Sequence, residues 1–226
     1  MRLRRIALSL SVLLILSSFA CIKRVERPIK ADYSKFFPLA DGNYYVYSGP
    51  EGKAMITQSI GDLYTFTHYD AAGKIIFWKD FLRTDHTIGW QNIVFSLSKA
   101  RPLTGKSNIP DIHFEPPLPF LPWTEKVGDT ILFSSAEIRH DSVNTHLRLQ
   151  IEYTIYGIAS VNTPAGMFND CIEIKMTHKI LYDKEKNFLE GDSYWWFARN
   201  VGVVKYITPE GAGELLQAKV DGKTYP

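Results

Sequence analysis

The sequence predicts an all-β or mainly β domain: a strongly curved antiparallel sheet, half-barrel or barrel, with a proline-rich covering loop. Three observations predict it. Two long runs alternate cleanly. In one, Leu147, Leu149, Ile151, Tyr153 and Ile155 point one way and Arg148, Gln150, Glu152 and Thr154 the other; in the next, Ile172, Ile174, Met176, His178, Ile180 and Tyr182 oppose Glu173, Lys175, Thr177 and Lys179. A period of two means strands with one buried and one wet face. These runs exceed the usual strand of about five or six residues, which suits a curved sheet. The aromatic residues, all but Phe19 of them beyond residue 20, are mixed with Ile, Val and Thr and punctuated by Gly, Asn and Asp, as strands and turns require. No stretch keeps a helical period.

From the N-terminus, Arg2, Arg4 and Arg5 precede an apolar run from Ile6 to Phe19. That run is the length of a signal-peptide core and shorter than the roughly 20 residues of a membrane-spanning helix. Ala20 then precedes Cys21. A small residue before a cysteine at this point is what the lipoprotein signal peptidase reads, so residues 1–20 are expected to be removed and Cys21 to carry a lipid. The stretch Ser18-Phe19-Ala20 departs from the usual lipobox, with Leu16 too early and Phe19 bulky. Ordinary cleavage and an uncleaved anchor therefore stand as alternatives. Residues 21–32, charged and without period, read as a flexible tether, and residues 33–226 as a single domain. Localisation follows: the bacterial cell envelope, membrane-anchored, facing periplasm or exterior.

Removing the three signal arginines from a formal charge of +2 turns the mature balance slightly negative. No electrostatic argument for nucleic-acid binding is left. Cys21 and Cys171 are the two cysteines. If Cys21 carries lipid, Cys171 is a free thiol and the domain relies on its core, for which about 190 residues suffice.

Within the domain, Tyr44 to Tyr47 follows a turn at Asp41-Gly42-Asn43. Ala71-Ala72-Gly73 separates residues 64–70 from 74–82 as a hairpin. Phe114 to Trp123 interleaves Pro116, Pro117, Pro119 and Pro122 with large apolar residues. Prolines lack backbone donors, so this segment is expected to lie over the sheet as a loop and not within it.

Three stretches carry a resemblance: Phe37-Pro38-Leu39 with Gly42, Tyr45 and Tyr47; Val161 to Cys171, containing Thr163-Pro164-Ala165-Gly166; and Tyr194 to Tyr206, containing Trp196-Phe197-Ala198 and Val201-Gly202. Together they resemble a group of bacterial lipoproteins with "TPAG-x-F…C" and "W-F-A-x-x-V-G-x-V-K" motifs, from which this chain departs with Tyr45 where Trp is usual. The resemblance implies a fold similar to the lipoprotein-carrier (Lol-type) half-barrel. It implies no activity. Physically, Pro164-Ala165-Gly166 and Asn200-Val201-Gly202 read as turns.

The six histidines are scattered, and no Cys-x-x-Cys, nucleophile elbow, P-loop or dinucleotide fingerprint occurs. Glu190-Gly191-Asp192 and His140-Asp141-Ser142 are sequence neighbours, which on a strand point to opposite faces. No catalytic residue, metal or cofactor is assigned, and no enzyme is expected. His178, on the apolar face between Met176 and Ile180, reads as a hydrogen-bonded core histidine or as a polar contact inside a groove. With Trp78, Trp90, Phe120, Trp123 and Trp196 it makes the candidate lining of a ligand groove. Two functions stay open. One is non-catalytic binding of an apolar small molecule or lipid in the curved sheet; the other is a protein-interaction or scaffolding module of the envelope with a filled core. A structure separates them by whether the interior is open.

Overall fold

The computed structural model describes residues 35–84, 88–95, 111–121, 127–139, 147–182 and 189–226. The signal segment, Cys21, the tether, Trp123 and His140-Asp141-Ser142 lie outside the described residues. Among the described residues thirteen strands form one sheet: β1 (Tyr44–Tyr47), β2 (Lys53–Ile60), β3 (Leu63–Tyr69), β4 (Ile75–Arg83), β5 (Ile88–Phe95), β6 (Asp111–Leu121), β7 (Thr130–Arg139), β8 (Leu147–Thr163), β9 (Gly166–Tyr182), β10 (Leu189–Ala198), β11 (Gly202–Thr208), β12 (Gly211–Val220) and β13 (Lys223–Tyr225). The spatial order is the chain order, each strand antiparallel to the next. β1 also pairs with β12, through Tyr44–Tyr47 against Leu215–Lys219, so the ladder comes back on itself and wraps its own core.

The turns form where the sequence marks them. Gly73 takes a φ of 78° between β3 and β4, and Asp70 Oδ1 accepts hydrogen bonds from the Ala72 and Lys74 backbone. Thr163 pairs with Gly166, leaving Pro164 and Ala165 as a two-residue loop. The alternating runs fall within β8 and β9, 17 residues each. Their inward residues Ile151, Tyr153, Ile155, Ile172, Ile174 and Met176 are buried.

The proline-rich segment corrects an expectation. Up to Leu121 it is not a covering loop but strand β6, paired with both β5 and β7. The pairing avoids most of its prolines. Opposite β5 the register jumps from Trp90–Leu118 to Asn92–His113, and β7 pairs only with His113 to Glu115. Pro116 and Pro117 sit in that skip, where no ladder donor is needed. Burial of the apolar residues was the sounder part of the reading: Phe114, Leu118, Phe120 and Leu121 are all in the core.

Segment 35–40, ahead of β1, delivers Phe36, Phe37 and Leu39 to the core. The Phe37 ring lies 4.9 Å from Phe120, 5.1 Å from Phe81 and 5.7 Å from Phe66. Three strands thus meet on one side chain contributed by a loop.

Candidate functional site

Two features are built well enough to examine: a polar cluster at an internal cavity, and the outer face of β8 to β12.

The interior starts from the alternation of β3, whose Tyr64, Phe66 and His68 point inward. Register with β4 sets His68 opposite Phe77, Phe66 opposite Lys79 and Tyr64 opposite Phe81, so β4 turns a lysine into the same interior. The turn after β1 adds Glu51. Lys79 Nζ holds both Glu51 carboxylate oxygens, at 3.1 and 3.0 Å. His68 Nδ1 stands 2.9 Å from the Glu51 carbonyl oxygen and 3.3 Å from its carboxylate. Both neighbours are acceptors, so Nδ1 carries the proton and donates. The Glu51 backbone N–H donates to the Tyr206 hydroxyl, and the Tyr47 hydroxyl donates to the Val203 carbonyl.

Burial sets the charges here. It pushes the His68 imidazolium down to a pKa of about 4, against the pull of Glu51, so the ring is neutral near pH 7. Burial raises Glu51, but Lys79 and His68 outweigh it and hold the carboxyl below its ordinary value. The group is therefore a paired Glu–Lys with a neutral histidine alongside, its ring stacked 4.1 Å from Phe77.

These residues border a cavity of about 30 Å³, whose apolar walls include Phe37, Phe66, Phe81, Phe120 and Trp195. That is room for a water molecule or two. The lining offers a histidine oriented by a carboxylate but no serine, threonine or cysteine nucleophile. A base so depressed in pKa is weak near neutrality. Among the described residues no three His, Cys, Asp or Glu side chains gather to hold a metal ion.

The residues expected to line a groove are dispersed. Phe120 lines the cavity, and Trp90 packs on it with ring centres 4.8 Å apart. Trp78 lies on the face of β4 opposite Phe77, Lys79 and Phe81. Trp196 points outward; its neighbour Trp195 takes the inward position. His178 is half-buried on the inward face of β9, paired with Ile151 and Gly191, away from the cavity lining. Trp123 lies outside the described residues. Missed by sequence reasoning were His68, Glu51, Lys79 and Trp195. His68 had a signal, the strict alternation Tyr64, Phe66, His68; Glu51 and Lys79 had none. Cys171 is a free thiol, fully buried, and burial pushes its pKa up to about 11.

The outer face of β8 to β12 is organised by register. One rung runs Thr154, Lys175, Tyr194, Ile207, Ala212, and the next Glu173, Trp196, Lys205, Glu214. Lys175 lies over the Tyr194 ring at 6.0 Å and pairs with Asp192 at 2.8 Å; Lys205 lies over Trp196 at 5.8 Å and pairs with Glu214 at 2.8 Å. Tyr156 meets Tyr194 edge-on with ring centres 6.1 Å apart. Tyr156, Ile207 and Leu216 remain exposed on this face.

The model of the family described as DUF3108-like matches residues 133–219, the part of the chain from β7 to β12. No curated protein matches the chain. Two crystal structures are similar in fold. One is a candidate lipoprotein from Parabacteroides distasonis, 17% identical, covering 81% of this chain and 98% of its own, with a TM-score of 0.46. The other is a candidate exported protein with a YmcC-like fold from Bacteroides fragilis, also 17% identical with the same coverage and a TM-score of 0.40.

Proposed function

We propose that this chain is an exported, lipid-anchored, non-catalytic interaction module of the bacterial envelope, whose protein partner docks on the outer face of β8 to β12. The observation that carries this reading is the filled interior among the described residues. Sites for drug-sized ligands measure about 300–1,000 Å³. The cavity here is about 30 Å³, and the Phe37 and Phe120 rings take up the space beside it. An acyl chain would need those rings to leave, so the binding of an apolar ligand inside the sheet, the other function open to the sequence, is the weaker reading. The outer face suits a protein partner because it carries the rings of Tyr156, Tyr194 and Trp196, residue types enriched at interfaces, while Lys175 and Lys205 already have carboxylate partners in Asp192 and Glu214. The anchor rests on Cys21 and the arginine-led apolar segment before it.

A single experiment tests the whole reading. The chain is expressed with a photocrosslinking residue at Trp196, the cells are irradiated and fractionated, and the purified chain is weighed by native mass spectrometry. The expected result is a membrane-bound chain, a crosslinked adduct of one defined mass, and no lipid beyond the covalent anchor. Cys21→Ala should release the chain from the membrane fraction or leave an unprocessed precursor. A stoichiometric, non-covalent lipid in the purified chain would overturn the interaction reading, and normal processing together with unaltered membrane association of Cys21→Ala would overturn the anchor.

A further inference from the structure

Among the described residues, two polar atoms on side chains lining the cavity have no hydrogen-bond partner: His68 Nε2 and Trp195 Nε1. The residues are 2% and 7% exposed. Leaving such groups unmatched costs roughly 1–3 kcal/mol each, so a folded protein is expected to satisfy them. Their chemistry is complementary. His68 Nδ1 faces only oxygen acceptors and holds the proton, which leaves Nε2 a bare acceptor. The indole N–H of Trp195 is a donor only. The Tyr47 hydroxyl is committed to the Val203 carbonyl, and the Tyr206 hydroxyl, which accepts from the Glu51 backbone, makes no hydrogen bond to either atom.

A ligand serving both atoms must donate to one and accept from the other. An ionised carboxylate offers no proton to Nε2, and an ammonium offers no lone pair to the indole. A hydroxyl does both, and a cavity of about 30 Å³ suits a group of that size.

We infer that the cavity is a binding site for a single hydroxyl group, held between His68 Nε2 as acceptor and Trp195 Nε1 as donor. The oxygen belongs to a water molecule or to a small alcohol. Glu51 is the positioning residue: by engaging Nδ1 it fixes the tautomer that makes Nε2 an acceptor.

The test is nuclear magnetic resonance on the full chain in detergent, with ¹⁵N in the histidine rings and tryptophan indoles. The expected spectrum shows His68 protonated on Nδ1 with Nε2 bare, and a cross-peak between the Trp195 indole proton and slowly exchanging water. Trp195→Phe keeps a ring against Tyr206 and Phe120, and should lose that cross-peak while the fold persists. Added glycerol or ethanol separates the two sources. Displacement of the water signal assigns the site to alcohol hydroxyls; persistence assigns it to water. An indole proton that sees only protein protons, or a His68 protonated on Nε2, overturns the inference.

Discussion

His68 is neutral in the folded chain because burial strips an imidazolium there of its hydration, and one neighbouring carboxylate already shared with Lys79 does not compensate for that. The consequence is a pH dependence with a definite sign. With a folded pKa of about 4 against an ordinary 6.5, the unfolded chain takes up this proton first as pH falls. His68 therefore leaves stability unchanged above pH 6.5 and lowers it as pH drops from 6.5 towards 4, by on the order of 3 kcal/mol in full. Glu51, held below its ordinary value, adds a loss of the same sign in the carboxyl range. Urea unfolding at pH 7, 5.5 and 4.5 should show this decline, and His68→Phe should flatten the part between 6.5 and 4. An equal slope in both proteins would show that the ring does not titrate as its burial dictates. In the sequence His178 stands out as a candidate for a polar contact in the interior, yet it is His68 that borders the cavity. Both alternate with apolar neighbours on a strand, and alternation places a side chain on a face without saying what the rest of the sheet brings to it. Glu51 and Lys79 meet His68 from a turn and a neighbouring strand, and no spacing in the sequence records that meeting.

At the scale of strands, the legible features were the ones governed by local chemistry: the period of two in β8 and β9, the Asp70–Lys74 turn, and the Pro164-Ala165 loop. Strand β6 is not legible as a strand because its prolines suggest a break at every position. What decides is whether a proline's missing donor was wanted, and the register skip opposite Gln91 removes the demand at Pro116 and Pro117. A similar non-local fit occurs between β11 and β12. Tyr206 pairs with Gly213 and lies so close over it that a Cβ there would come within 2.4 Å of the phenol ring. Gly213 has no positive φ, so its role is clearance alone. Gly213→Ala should push Tyr206 off the Glu51 backbone and cost about 1–3 kcal/mol, the range for overpacking a core. Thermal melts read the cost. A second change, Tyr206→Phe, removes the hydroxyl that accepts from Glu51 and leaves the ring; if Gly213→Ala is harmless in either background, the ring does not rest on the glycine.

At the scale of the whole sheet, the described residues form thirteen strands that wrap far enough to pair β1 with β12, and a sheet so curved leaves an interior that its own side chains do not fill. Phe37 fills it from outside the sheet. Its ring touches Phe66 of β3, Phe81 of β4 and Phe120 of β6, and faces Phe197 of β10 edge-on at 6.4 Å. Segment 35–40 is pinned at both ends: the Asn200 backbone donates to the Lys35 carbonyl, and the Asn43 side chain donates to the Pro38 carbonyl. Asn43 in turn accepts from the Asp221 backbone beside β13, so entry and exit of the chain are tied together. Phe37 is thus a plug whose removal should both weaken the fold and create the apolar space that the native interior lacks. Phe37→Ala is expected to cost about 3–5 kcal/mol, as for emptying a buried aromatic site. The space left among Phe66, Phe81, Phe120 and Phe197 is apolar and should stay dry, taking up a small aromatic such as benzene. Benzene should then raise the melting temperature of Phe37→Ala and leave that of the native chain unchanged. Stabilisation of the native chain by benzene would mean that the interior already admits apolar ligands, and the filled-core account of this fold would fall with it.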